Sequence, residues 1–263
     1  MAADFAGSTA HYYAQYRRDV PAPLVDAIVT AAGITPADRI LDLGCGTGQV
    51  AAVLSARVGC VLALDPEPDM LRGLRARLTA EHVENVLPVL ASDASLPAIA
   101  RTFGPIFGAV TVANALHWMD ADHVFAQARL LLRPGGALAV VSQGPPMWLA
   151  EVSWAADLRA YLEQWAGAPL TGTCGTDRDA LAARRARMAR HGFGRVEPIE
   201  YRYENEVDLT FIAGHLYSAM PQSMMPAERR PEFQSGLRQA LRRHLGRGTL
   251  TERIDATALI GRN

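Results

Sequence analysis

The chain contains no lysine; all 26 of its Lys+Arg residues are arginine. A phosphate-binding G-x-x-x-x-G-K-[ST] loop is thereby excluded. Cysteine is scarce. Cys45, Cys60 and Cys174 form neither a C-x-x-C pair nor an even set, so a disulfide scaffold is excluded and reduced thiols are expected. No His/Cys/Asp/Glu group has metal-ligand spacing, so no metal is expected. Apolar runs stay well short of the roughly 18 residues that cross a bilayer. The first residues, MAADFAGSTA, lack the basic and apolar regions of a signal peptide. The expectation is a cytoplasmic chain with no membrane partner. Charge of one sign is also missing: the net charge is −1, with 10 Arg against 13 acids in residues 1–150 and 16 against 14 in residues 151–263. No wide basic footprint exists, so nucleic acid is not an expected partner.

What is present is an ordinary globular balance, with 49% hydrophobic and 20% charged residues. Strands and helices alternate through the first half. Residues 4–33 read as helical, with Pro21 suited to a helix start. Strands are expected at 39–44, 60–65, 85–93, 107–114 and 137–143, with Pro88 a blemish in the third. Helices are expected at 49–57, 67–81 and 120–132. Beyond Gly144-Pro145-Pro146 the rhythm changes. Helices are expected at 148–166, 179–191, 208–219 and 227–246, the last with Phe233, Leu237, Leu241 and Leu245 on one stripe. Strands are expected at 194–207 and 250–263. This pattern predicts an α/β fold: a doubly wound, Rossmann-like, mostly parallel seven-stranded sheet, helices on both faces and a helical cap. The expectation is one domain over 1–263. Its ligand-binding core lies at about 34–143, and its cap comes from 1–20, 145–178 and 204–248.

The segment Leu41-Asp42-Leu43-Gly44-Cys45-Gly46-Thr47-Gly48 lies between the first strand and its helix. Glycines there let the backbone turn sharply and approach a ligand, and the helix start behind them favours an anionic or polar group. Asp65 ends the second strand, where an acid accepts hydrogen bonds from ribose hydroxyls. Asp93 ends the third, within reach of an adenine amino group. The dinucleotide fingerprint G-x-G-x-x-G/A is not completed, because Gln49 stands where a small residue is needed.

LDLGCGTG (41–48), LALDPEPDML (62–71), ASDASLP (91–97) and LLRPGGALAV (131–140), in that order, resemble the motifs of class I S-adenosylmethionine-dependent methyltransferases. ANALHWMDADHVF (113–125) looks like the corresponding segment of the small-molecule branch that includes trans-aconitate methyltransferases. The resemblance covers about residues 10–143. It implies that Gly44, Cys45, Gly46 and Gly48 surround the methionine part of the cofactor, and that Asp42 meets its amino group. Asp65, with Pro66 beside it, takes the ribose. Met70 packs on adenine, Asp93 and Ala94 read the adenine edge, and Asn114 lies near the amino acid moiety. Tyr13, Tyr16 and Arg17 resemble an N-terminal lid that approaches the cofactor, although Arg18-Asp19-Val20-Pro21 replaces the usual Arg-Pro pair.

His117 is the expected catalytic residue, a proton acceptor near neutral pH if the acceptor must lose a proton; the plainer reading is that it only seals a pocket. Tyr12, Trp118, Trp148, His215, Tyr217 and Met220 are candidate substrate contacts, and core packing is their plainer role. Arg184, Arg185, Arg187 and Arg190 either attract an anionic acceptor or form a solvated helix face. Cys45 reads as a small loop residue, not a nucleophile.

The implied activity is methyl transfer by in-line displacement to an O or N atom of a small molecule, in specialised metabolism, by a monomer or homodimer. The alternatives are methyl-ester formation on a small organic acid and a cofactor binder that no longer transfers methyl. Methylation of nucleic-acid amino groups is disfavoured, since Ala115-Leu116-His117 follows Asn114 in place of Pro-Pro-aromatic.

Overall fold

A computed structural model describes residues 5–246 and 248–263. Helices α1 (Ser8–Tyr16) and α2 (Ala22–Ala32) precede strand β1 (Arg39–Leu43). There follow α3 (Ala51–Ser55), β2 (Cys60–Asp65), α4 (Pro68–Ala80), β3 (Val86–Leu90), α5 (Leu96–Phe103), β4 (Phe107–Ala113), α6 (Ala121–Leu131) and β5 (Leu132–Gln143). The remainder is α7 (Ala155–Ala166), α8 (Arg178–Arg190), β6 (Glu197–Val207), α9 (Leu209–Ala219), α10 (Arg230–Leu241) and β7 (Leu250–Arg262).

One sheet holds all seven strands in the order β3-β2-β1-β4-β5-β7-β6. The pairs β2–β3, β1–β2, β1–β4 and β4–β5 are parallel, and β5–β7 is antiparallel. The interior strands are apolar runs because both faces are covered: β4 is buried from Phe107 through Val112. Strand β3 lies at the sheet edge, which explains Pro88, since an edge strand tolerates a missing N–H. Strand order reverses between β1 and β4, and ligands of open α/β sheets bind at such a point, outside the carboxyl ends of the strands.

The chain divides into two compact units. The first is the described part of Met1–Arg17, Gly144–Asp177 and Arg202–Asp255; the second is Arg18–Gln143, Arg178–Tyr201 and Ala256–Asn263. Each has its own core. The second unit's core runs through Leu41, Leu64, Val110, Val112, Phe125 and Leu138. The first unit's core is built on Leu158, Leu162, Ile212, Leu216, Phe233 and Leu237.

Several elements differ from the sequence-based expectation. The helical stretch expected from residue 4 breaks into α1 and α2, because Arg17 is extended (φ −91°, ψ 129°) and Pro21 precedes α2. Its start at residue 4, cap residues 1–4 and cap residue 247 lie outside the described residues. Helix α3 has five residues where nine were expected. Helix α5 was not anticipated; a parallel β3–β4 passage needs such a crossover. Helix α7 begins at Ala155, after a 3₁₀ turn at Met147–Leu149. Helix α10 ends at Leu241, between 3₁₀ turns at 227–229 and 242–244, with Pro231 in its first turn.

Candidate functional site

The loop after β1 turns three times through left-handed backbone: φ is +69° at Gly44, +54° at Gly46 and +96° at Gly48. Only glycine enters these regions without strain. Space is equally restrictive. A Cβ on Gly44 meets that of Ala115 at 2.6 Å, and one on Gly48 meets Leu74 Cδ1 at 2.6 Å. The loop is tied to the end of β2. The amides of Gly44 and Cys45 donate to the Leu64 carbonyl at 2.8 and 2.9 Å, and the amide of Gly46 donates to Asp65 Oδ2 at 2.9 Å. Asp65 Oδ1 accepts from the amide of Glu67 at 2.9 Å. Cys45 is buried, and burial raises its thiol well above the usual range. It is no thiolate nucleophile.

Asp42 is 1% exposed. Its Oδ1 accepts from the Thr111 hydroxyl at 2.6 Å, while Oδ2 is buried with no hydrogen-bond partner among the described residues. Burial pushes this carboxyl up to about 7, and the Asp65 charge adds to the rise, against hydrogen bonds from Thr111 and the Ala51 amide. Burial also raises Asp65, against the amides of Glu67 and Gly46. Two acids of raised affinity for protons therefore flank the glycine loop.

A second segment at the carboxyl ends of the strands follows β4. Asn114 has φ +51°, and its side chain is clipped to Gln143: Asn114 Nδ2 donates to Gln143 Oε1 at 2.8 Å, and the Gln143 amide donates to Asn114 Oδ1 at 2.9 Å. His117 and Trp118 lie in a 3₁₀ turn after Asn114, their rings 4.7 Å apart. Both are exposed, Trp118 by 53%. Met70 is buried on α4 and Pro66 is exposed before it. Asp93 is half-buried and Ala94 exposed in the turn after β3. The Asp93 carbonyl meets His123 Nε2 at 3.1 Å. Helix α8 brings Arg187 onto Asp122, with a nitrogen–oxygen distance of 2.6 Å, and Arg184 onto the Ser142 hydroxyl at 3.1 Å.

The remaining candidates belong to the first unit. Tyr16 packs over Gly214 of α9, where an added Cβ would lie 2.3 Å from its ring. Arg17 Nε donates to the Ser218 hydroxyl at 2.9 Å, and its guanidinium lies over the Tyr13 ring. Tyr12 meets Tyr217 edge-on at 5.0 Å. Tyr217 and Met220 are buried in this unit's core, Trp148 packs at its margin, and His215 is half-buried. The Trp148 indole N–H has no partner among the described residues.

Sequence reasoning missed three residues of the second unit. Thr111 anchors Asp42; a lone hydroxyl in the apolar run FGAVTVA was its signal. Gln143 joins Asn114 to the Asp19 carbonyl, donating to the latter at 3.0 Å. Arg77 grips the Asp19 carboxylate at 2.6 and 2.7 Å and donates to the Gly48 carbonyl at 3.2 Å. Neither Gln143 nor Arg77 has a sequence signal, because each acts through distant chain. Among the described residues, no group of three or more His, Cys, Asp or Glu is placed to hold a metal, and no helix is long and apolar enough to cross a membrane.

Comparison with known proteins finds similar sequences and a similar fold. Residues 40–136 match a family described as a methyltransferase domain. An uncharacterized methyltransferase of Mycobacterium tuberculosis is 35% identical over 135 residues, 51% of this chain and 50% of the relative. The malonyl-[acyl-carrier protein] O-methyltransferase of Marinomonas is 26% identical over 166 residues, covering 62% of this chain and 58% of that protein. The match thus spans about half the length of such relatives. A solved structure from Anaeromyxobacter dehalogenans, provisionally named a type II methyltransferase, shares the fold at a TM-score of 0.61 and 20% identity, covering 94% of this chain and 97% of that one.

Proposed function

We propose that this chain, whose residues 40–136 match a methyltransferase-domain family, is a class I S-adenosylmethionine-dependent methyltransferase that transfers a methyl group to an oxygen or nitrogen of a small-molecule acceptor. The observation that carries this reading is the glycine loop after β1 at the strand-order reversal, with the unpartnered Asp42 Oδ2 buried beside it. The residues fit the cofactor. In this reading the backbone of Gly44, Cys45, Gly46 and Gly48 approaches the methionine part, Asp42 offers its ammonium a negative partner, and Asp65 accepts from the ribose hydroxyls. Met70, Asp93, Ala94 and Asn114 complete the set, with Pro66 shaping the turn. Roles for Tyr13, Tyr16 and Arg17 at the cofactor rest on the family resemblance alone.

When bound, S-adenosylmethionine supplies a methyl group on a positively charged sulfur, already activated for displacement. The chain's own task is to hold donor and acceptor in line and exclude water, effects that supply about 7–11 kcal/mol of barrier lowering in well-oriented reactions. His117 takes the proton of a hydroxyl or amine acceptor, a role supported by its place after β4 at the carboxyl edge of the sheet. Acceptor contacts by Trp118 of the second unit, and by Tyr12, Trp148, His215, Tyr217 and Met220 of the first, rest on the sequence reading alone. A second reading, methyl-ester formation on a carboxylate, is favoured by the similarity to an enzyme named for malonyl-[acyl-carrier protein]. A carboxylate needs no base, so His117→Ala separates the two: a loss of about 10²–10⁴-fold in kcat supports proton transfer, and an unchanged kcat supports the ester.

The test of the family-level reading is a thermal shift with S-adenosylhomocysteine and, in parallel, NAD. A rise with the first alone is expected. A rise with NAD alone overturns the reading. Turnover of labelled S-adenosylmethionine against a panel of hydroxyl, amine and carboxylate acceptors then separates a working enzyme from a cofactor binder.

A further inference from the structure

Asp42 of β1 and Thr111 of β4 are register partners in the sheet. Both side chains are buried, and the Thr111 hydroxyl donates to Asp42 Oδ1 at 2.6 Å. Thr111 is the one polar side chain in the strand FGAVTVA. The opposite oxygen, Asp42 Oδ2, has neither solvent nor a hydrogen-bond partner among the described residues. The groups that act on this carboxyl are Asp65 from the end of β2, the Cys45 thiol from the loop, and the Ala51 amide from the start of α3. None of them is a cation, and no ion pair to Asp42 occurs among the described residues.

A buried carboxylate with one oxygen unpaired and a second acid close by is costly to maintain. Two things relieve it: a bound proton or an arriving cation. The ammonium of the cofactor's methionine part is such a cation, so this inference rests on the cofactor reading above. We propose that Thr111 is a positioning residue for the cofactor: the buried Asp42 carboxyl, with Asp65 close by, holds a proton in the cofactor-free protein, and the Thr111 hydroxyl, donating to Oδ1, fixes this carboxyl and favours release of the proton to solvent when the ammonium takes its place. The O–H bond of the carboxyl breaks, the electron pair stays on oxygen, and the proton goes to buffer. Cofactor binding is then proton-linked, and Thr111 sets the pH at which the exchange occurs. The direction agrees with the raised proton affinity of Asp42, whose main cause is burial.

The probe is S-adenosylhomocysteine, which carries the same ammonium and no transferable methyl. Titration calorimetry at about pH 6.5, in two buffers of different ionisation enthalpy, counts the protons exchanged. The wild-type protein is expected to release a large fraction of one proton per ligand, and less as pH approaches about 8.5. Thr111→Val keeps the shape and removes the donor. It is expected to bind about tenfold more weakly at pH 6.5, the worth of one hydrogen bond, with the deficit shrinking at pH 8.5 as Asp42 ionises unaided. Thr111→Ser is expected to restore the wild-type profile. Wild-type binding with no proton released at pH 6.5 overturns the proposal, whatever the variants do. A Thr111→Val deficit of equal size at every pH also overturns it, because a purely structural role gives that result. Failure of the wild-type protein to bind S-adenosylhomocysteine overturns the cofactor reading, and the proposal with it.

Discussion

Gly48 is the position where backbone and space act together. Its φ of +96° is closed to residues with a Cβ, and an added methyl lands on Leu74 Cδ1. Gly48→Ala is therefore expected to destabilise by about 2–4 kcal/mol, the sum of left-handed strain and overpacking, and to weaken S-adenosylhomocysteine binding. Denaturant melts with and without ligand check both. Titration is the other residue-scale consequence. Asp42 stands at about 7, and Asp65 is raised, both by burial. Between about pH 4 and pH 7 the folded protein therefore keeps protons that the unfolded chain has lost. Stability falls as pH rises through that window. Asp38, lowered to about 2 by Arg133, has its full stabilising effect above pH 4 and does not oppose the slope. The melting temperature of the cofactor-free protein is expected to drop from pH 5 to pH 7.5, and Asp42→Asn to flatten the drop. An unchanged slope in the variant removes Asp42 as its source.

At the scale of elements, α4 and the segment before α2 act through Arg77, which joins the Asp19 carboxylate to the Gly48 carbonyl. Val20 reinforces the link, its amide donating to the Gln49 carbonyl at 3.0 Å. Arg77 and Asp19 are partly exposed, by 21% and 42%, so solvent screens the pair. Arg77→Met is expected to cost only about 1 kcal/mol in stability. Its larger effect falls on order, as faster amide exchange at residues 18–20 and 46–49 and weaker S-adenosylhomocysteine binding; hydrogen exchange on the cofactor-free protein reads the first directly. These links show why legibility varied along the chain. The strands of the parallel sheet were readable because burial on both faces writes them as unbroken apolar runs, as in ILDL and VLALD. The glycine loop was readable because its backbone admits one residue type. Helix α5 was not: LPAIARTF is short, holds a proline and buries only Leu96, so its periodicity had nothing to repeat. Arg77 and Gln143 do their work across the sequence, and local pattern carries no trace of partners 58 or 29 residues away.

For the whole molecule, the seven-stranded mostly parallel sheet follows from the βαβ rhythm, whereas the division into two compact units rests on long-range contacts between segments far apart in sequence. Each unit has its own buried aromatic anchor, Phe125 in the second and Phe233 in the first. Three of the four tryptophans, Trp148, Trp154 and Trp165, lie in the first unit, and Trp118 lies in the second. Phe233→Ala removes a fully buried ring that touches Tyr161, Trp165 and Tyr217. It is expected to cost about 3–5 kcal/mol and to lower the unfolding transition seen by tryptophan fluorescence. A fluorescence transition that does not move contradicts the assignment of Phe233 to that core.

The sheet order also has a consequence during synthesis. Strand β7 is the last of the seven to be made, yet it lies between β5 and β6 and pairs with β5 from Ala137 to Gln143. Ribosomes complete β5 and then translate more than 100 further residues before β7 emerges, which takes on the order of ten seconds at about 5–20 residues per second. Throughout that interval β5 presents an apolar edge with unpaired amides and carbonyls, the kind of surface on which nascent chains join one another. Slow codons placed between β5 and β7 are therefore expected to lower the soluble yield, and a chaperone present during translation to restore it.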